Sequence, residues 1–80
     1  MTGARTARIR TEHGDSTTAK RIADAVRPDN TEEMSTTVEG STVETTIERQ
    51  TTGGLRSTAD DYVVNVRVAA QLATNETHDT

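Results

Sequence analysis

The chain has no cysteine, no phenylalanine and no tryptophan; of its 80 residues Tyr62 is the only aromatic and Pro28 the only proline. Each absence excludes something. Without cysteine there is no disulfide and no thiolate-bound zinc to brace a small fold. Aromatic side chains bury roughly 150–250 Å² each, so a core built mainly from Val and Ala has a weak driving force. A domain of this size buries only about 60% of the surface its unfolded chain exposes. With the usual braces missing, oligomerisation is the remaining remedy, and the composition predicts a partner.

Lysine is also nearly absent: Lys20 stands alone, and Arg supplies the other positive charges against 13 acidic residues, for a net charge of −4. A free-standing nucleic-acid binder usually carries a strongly basic footprint. Low Lys with abundant Thr, Asp and Glu matches the cytoplasm of a salt-loving archaeon; an ordinary acidic domain is the plain alternative. No stretch near the start has the form of a secretory leader, and no apolar run approaches the ~18 residues of a membrane span. The expectation is a soluble, cytoplasmic protein with no membrane contact.

Residues 5–11 alternate, with Ala7 and Ile9 on one face and Arg8 and Arg10 on the other, which predicts a half-buried strand. Glu12, His13 and Gly14 form a turn, and Asp15 or Ser16 caps a helix. Ala19, Ile22, Ala23 and Val26 then recur at helical spacing. Pro28 ends that helix and biases Arg27 away from helical geometry. Met34, Thr36 and Val38 share one face of a second strand, Val43, Thr45 and Ile47 one face of a third, and Glu39-Gly40-Ser41 is the hairpin turn between them.

The stretch that follows is ambiguous. Tyr62, Val64, Val66 and Val68 alternate as in a strand. Read as a helix, Leu55, Ala59, Tyr62, Val63, Val66, Ala69, Ala70 and Ala73 make one apolar stripe nearly five turns long, and length decides for the helix. The order β-α-β-β-α predicts an α+β fold, a three-stranded antiparallel sheet with two helices on one face. Residues 1–73 form a single domain in this reading, and 74–80 a polar, disordered tail.

Catalytic patterns are weak. Gly53-Gly54 is followed by Leu55 and Arg56, whereas a phosphate loop needs Lys and then Ser or Thr; a turn into the helix is the simpler reading. Adjacent helical residues point about 100° apart, so Asp60 and Asp61 do not converge on one bond. His13 and His78 have no third ligand near them in sequence. The sequon at Asn75 has no meaning in a cytoplasm. No catalytic group, metal site or cofactor is expected. Arg8 and Arg10 form a local basic stripe, either a solvated outer face or a contact for RNA phosphates.

Three segments, "RPDNTEEM" (27–34), "VEGSTVETTIE" (38–48) and "GGLRSTADDYVVNVRVA" (53–69), resemble the small Pcc/CTAG-family subunit of the archaeal KEOPS complex. The most specific pieces are Pro28-Asp29-Asn30, Ile47-Glu48, Leu55-Arg56, Asp61-Tyr62 and Asn65. The resemblance covers nearly the whole chain, to about Leu72; taken with the composition above, it fits a haloarchaeal source. It implies the same β-α-β-β-α fold and a helical Tyr62–Val68. It implies a non-catalytic subunit that forms a homodimer and docks its helices on the complex's catalytic transferase subunit. It also implies help in binding the tRNA that receives threonylcarbamoyladenosine. Leu55, Ala59, Tyr62, Val63, Val66 and Ala70 are then the partner-docking candidates, shared with the protein's own core. Asp60, Asp61 and Asn65 are candidates for the rim of that contact, and Arg8 and Arg10 the tRNA candidates. A free-standing small RNA-binding module is the alternative; the missing stacking aromatics and the missing GXXG clamp weigh against it.

Overall fold

The computed structural model describes residues 4–78, with side chains through 73. It consists of β1 (Arg5–Glu12), α1 (Ser16–Val26), β2 (Met34–Glu39), β3 (Thr42–Arg49) and α2 (Thr52–His78). The strands form one antiparallel sheet in the order β1-β3-β2, so β3 is central and both other strands are edges. Both helices cover the same face: α1 packs on β2 and β3, and α2 on β3 and β1. The expected α+β architecture is therefore present.

Each element follows from local chemistry. The Asp15 carboxylate accepts the Thr18 amide at 2.7 Å and caps α1, which satisfies one of the donors a helix start leaves free. Pro28 sits in a single 3-10 turn, Arg27–Asp29, that closes the helix, and Arg27 keeps right-handed helical geometry (φ −55°, ψ −41°) where the following proline was expected to bias it away. Gly14 and Gly40 have φ of 88° and 61°, in the left-handed region that glycine enters without strain. Gly40 is the first of two loop residues between Glu39 and Thr42, the place where a tight hairpin needs positive φ.

The core lies between the sheet and the helices. Ala19, Ile22, Ala23 and Val26 come from α1, Val43 and Ile47 from β3, and Tyr62, Val66, Ala69 and Ala73 from α2. A chain of side-chain hydrogen bonds crosses it. Asn30 Nδ2 donates to Thr36 Oγ1 at 2.7 Å, the Thr36 and Thr45 hydroxyls meet at 2.7 Å, and Thr45 Oγ1 meets the Tyr62 hydroxyl at 2.5 Å. Burial pushes the Tyr62 phenol above its ordinary pKa, opposed by the Thr45 and Thr36 hydroxyls.

A second expectation is corrected. Gly53 and Gly54 are not a turn ahead of the helix; they occupy its first turn. Thr51 supplies the reason: its Oγ1 accepts the Gly54 amide at 2.9 Å and its carbonyl accepts the Leu55 amide at 3.0 Å, so capping starts the helix before the glycines. At the other end, α2 continues to His78. The side chains of the expected polar tail, 74–80, with Asn75 and His78, lie outside those described.

Candidate functional site

Helix α2 is apolar on more than one side. At 100° per residue, Leu55, Tyr62, Val66, Ala69 and Ala73 point within about 40° of one direction, the core. Val64, Val68 and Leu72, spaced i, i+4, i+8, form a second row on the far side, and these residues are 56%, 51% and 59% exposed. Val63, on the opposite flank, is 42% exposed.

The outer row borders a shallow groove between the two helices. Ala25, Val26, Asp29, Asn65, Val68, Ala69 and Leu72 line one part of it, and Arg21 and Asp24 of α1 with Ala73 of α2 extend it. Its floor is apolar and its rim carries both charge signs. Such a groove suits an amphipathic helix, whose apolar anchors enter at i, i+3 and i+4 while polar groups pair at the edge.

The residues expected to dock are divided by the fold. Tyr62 and Val66 are buried against the sheet, at 1% and 6% exposure, because the central strand offers Val43, Thr45 and Ile47 beneath them. Leu55, Ala59 and Ala70 are half-buried around the same core. Of the set, only Val63 is exposed. Asn65 sits in the groove, whereas Asp60 and Asp61 are exposed. The series Val64, Val68, Leu72 was missed because the longest apolar stripe is the one the core takes. The signal for a second surface was the additional i, i+4, i+8 run.

Arg8 and Arg10 lie on the sheet face away from the helices, as the alternation predicted. Both approach one carboxylate: Arg8 Nε stands 3.6 Å and Arg10 Nε 4.0 Å from Glu44 Oε2 on the neighbouring strand. That face is a mixed-charge surface with hydroxyls. It holds no aromatic, since Tyr62 is in the core. Nearby, the Thr42 and Ser41 hydroxyls donate to the Glu12 carboxylate and hold it below the usual carboxylate range, with Arg10 adding to the effect.

A further junction was not foreseen. Arg49, at the end of β3, donates to Thr58 Oγ1 at 2.5 Å and to the Gly54 carbonyl at 3.3 Å, and pairs with Glu33 at 3.5 Å. A Cβ on Gly54 would lie 3.0 Å from Arg49 Nη2 and 2.9 Å from Thr51 Oγ1. Glycine at 54 therefore permits the close approach that ties β3, the start of α2 and the segment before β2 together. His13 bonds the Thr11 hydroxyl through Nε2 at 2.7 Å. Among the described residues, no group of three or more His, Cys, Asp or Glu side chains is placed to hold a metal ion. No helix among them is long and apolar enough to cross a membrane. No protein-family model matches the chain, and no curated protein matches it in sequence.

Proposed function

We propose that the chain is a non-catalytic scaffold subunit of the archaeal KEOPS complex, acting in the cytoplasm of a haloarchaeon. In this reading it pairs with itself, docks on the catalytic transferase subunit through the groove between α1 and α2, and helps hold tRNA for threonylcarbamoyladenosine formation. One observation carries the reading. Asp29 and Asn65, two of the residues on which the resemblance to the Pcc/CTAG family rests, both line the groove that the exposed Val68 and Leu72 border. Residues 36 positions apart in sequence thus share one surface, and that surface is the apolar one.

The roles follow from placement. Val68 and Leu72 are the apolar anchors, Asn65 and Asp29 the polar rim, and Tyr62 and Val66 the core that holds the helix in place. Arg8 and Arg10 are the candidate tRNA contacts on the opposite face. Glu44 offsets part of their charge, so their contribution belongs to the assembled complex. The alternative of a free RNA-binding module loses support, because its usual stacking residues have no counterpart on the open sheet.

The test is capture of the transferase subunit from a lysate of the native host at multimolar salt, with wild-type protein and with Val68→Asp and Leu72→Asp. The wild type should retain the transferase and the folded variants should lose it. Equal capture by all three would remove the groove from the reading, and no capture by the wild type would remove the reading itself.

A further inference from the structure

The groove between the helices has two unequal walls. One is α2, seated by its own core residues. The other runs from α1 into residues 27–33, where Asp29 shares the groove lining with Asn65 of α2. None of those seven residues is buried, and Pro28 is the only apolar one. Segments with few buried apolar contacts are the ones that open first, so packing alone leaves this wall without an anchor. Its ends are tied to the sheet: Arg27 Nη2 donates to the Thr36 carbonyl at 3.3 Å, and Glu48 N–H to the Glu33 carbonyl at 2.9 Å. Its turns are local, with Asn30 N–H on the Arg27 carbonyl at 2.9 Å and Met34 N–H on the Thr31 carbonyl at 3.0 Å. These bonds set the shape of the segment but not its distance from α2.

Two polar links cross from that segment to α2. The first carries no charge. Asn30 Nδ2 donates to Thr36 Oγ1, Thr36 Oγ1 meets Thr45 Oγ1, and Thr45 Oγ1 donates to the Tyr62 hydroxyl, at 2.7, 2.7 and 2.5 Å. Thr45 and Tyr62 are fully buried, and among the described residues no buried side-chain nitrogen or oxygen lacks a partner. The second link is charged: Arg49 pairs with Glu33 at 3.5 Å and donates to Thr58 Oγ1 and the Gly54 carbonyl of α2. Magnitudes separate the two. Exposed ion pairs contribute little, and at 1 M salt the Debye length of about 3 Å is already shorter than the contact between Arg49 and Glu33. A buried hydroxyl chain is not screened, and breaking it leaves polar groups unpaired in the interior.

We propose that Asn30 is a positioning residue of the docking groove: through Thr36, Thr45 and Tyr62 it holds the wall that carries Asp29 at one distance from α2. This rests on the docking role in the proposed function and names what forms the groove before a partner arrives. Asn30 sits next to the groove yet its side-chain amide is turned to the sheet, committed to Thr36. Its task is therefore to place Asp29 rather than to touch the partner. The neutral chain does this at any salt concentration, while the link through Arg49 and Glu33 weakens as salt rises. Apparent affinity falls in proportion to the fraction of molecules whose binding surface is in place. A wall seated only about a tenth of the time should thus weaken docking about tenfold.

The chain has no cysteine, so nitroxide labels on Glu32→Cys and Ser57→Cys, both exposed positions, report the separation of segment and helix directly. Electron paramagnetic resonance at multimolar salt should give one narrow distance distribution for the otherwise wild-type chain. Asn30→Ala should broaden it, keep its helices by circular dichroism, and weaken binding to the purified transferase subunit about tenfold. Thr36→Val, which breaks the next link with a side chain of the same shape, should do the same and decides if Asn30→Ala does not fold. Glu33→Gln should change neither reading. An unchanged distribution in a folded Asn30→Ala or Thr36→Val chain overturns the tie, and broadening by Glu33→Gln alone transfers it to Arg49. Broadening with undiminished affinity overturns the positioning role and leaves docking to Val68 and Leu72. If the wild type does not bind the transferase, the docking reading fails, and the label distances still decide whether Asn30 holds the segment.

Discussion

Helix α1 and helix α2 use their apolar residues differently. In α1, Ala19, Ile22, Ala23 and Val26 are buried at 0–1% exposure, and Arg21 and Asp24 flank them. In α2 the core takes Tyr62, Val66, Ala69 and Ala73, yet Val63, Val64, Val68 and Leu72 remain between 42% and 59% exposed. Length is part of the reason: α2 has 27 residues, about 40 Å, against about 26 Å for an eight-residue strand. A helix that outruns its sheet and is apolar on a second side has more than its own core requires. The first helix commits its larger apolar residues to the core; the second does so too and still has surface to offer.

The strongest way to break this comparison is to truncate α1's core. Ile22→Ala should cost about 2–5 kcal/mol, the range for deleting a buried aliphatic side chain, and chemical denaturation followed by circular dichroism reads it. In a domain with so thin a core, a loss at the upper end should leave the isolated chain largely unfolded. On α2's outer row the outcome should invert. Val68→Asp should move stability by no more than about 0.5 kcal/mol and lower transferase affinity at least about tenfold, or 1.4 kcal/mol. Large destabilisation by Val68→Asp would mean that this row belongs to the core.

A third substitution probes α2's inner face. Thr45→Val removes the hydroxyl between Thr36 and Tyr62 and should cost about 1–3 kcal/mol, the penalty for leaving a buried polar group unpaired. Adding Tyr62→Phe should recover part of it, so the double-mutant cycle should show coupling.

Smaller effects separate the helix starts. Gly53→Ala, with nothing within 4 Å of the new Cβ, should stabilise α2 by up to about 1 kcal/mol. Gly54→Ala should not, because its Cβ would meet the capping Thr51 and the Arg49 guanidinium. For α1, hydrogen bonds from the Thr18 amide and hydroxyl hold Asp15 below its ordinary pKa, as the Thr42 and Ser41 hydroxyls do Glu12. Because both folded-state values are depressed, their stabilisation is complete above the ordinary carboxylate range near 4. It is lost as pH falls through the folded values. Denaturation midpoints measured from neutral to acidic pH should decline over that range, and Asp15→Asn with Glu12→Gln should flatten the decline.

Much of the fold was legible because its signals are local: alternation in β1, the Asp15 cap, the stop at Pro28 and the glycine in the hairpin. The alternation from Tyr62 to Val68 shows where legibility ended. Tyr62 and Val66 are one helical row and Val64 and Val68 another, so two faces of a helix imitate the two faces of a strand. The docking set suffered from the same overlap. A periodicity finds the most coherent stripe, which the core claims first, and only the position of the sheet separates Val66 from Val68. Neither the close approach of Arg49 to Gly54 nor the shared Glu44 was legible, since both depend on pairing between elements.

The hydroxyl chain through Thr45 also makes the protein its own spectroscopic reporter. With no tryptophan or phenylalanine, its near-ultraviolet absorption and intrinsic fluorescence come from one ring, held between sheet and helix with its oxygen bonded to a threonine. Any change in either spectrum reads the seating of α2 on the sheet, uncontaminated by other chromophores. Because burial raises the phenol's pKa, the phenolate band should appear only above the pH near 10 at which an exposed tyrosine ionises. Stability from this group is intact below that pH and declines as pH rises through the folded value, so ionisation and release of the helix should be seen as one optical event.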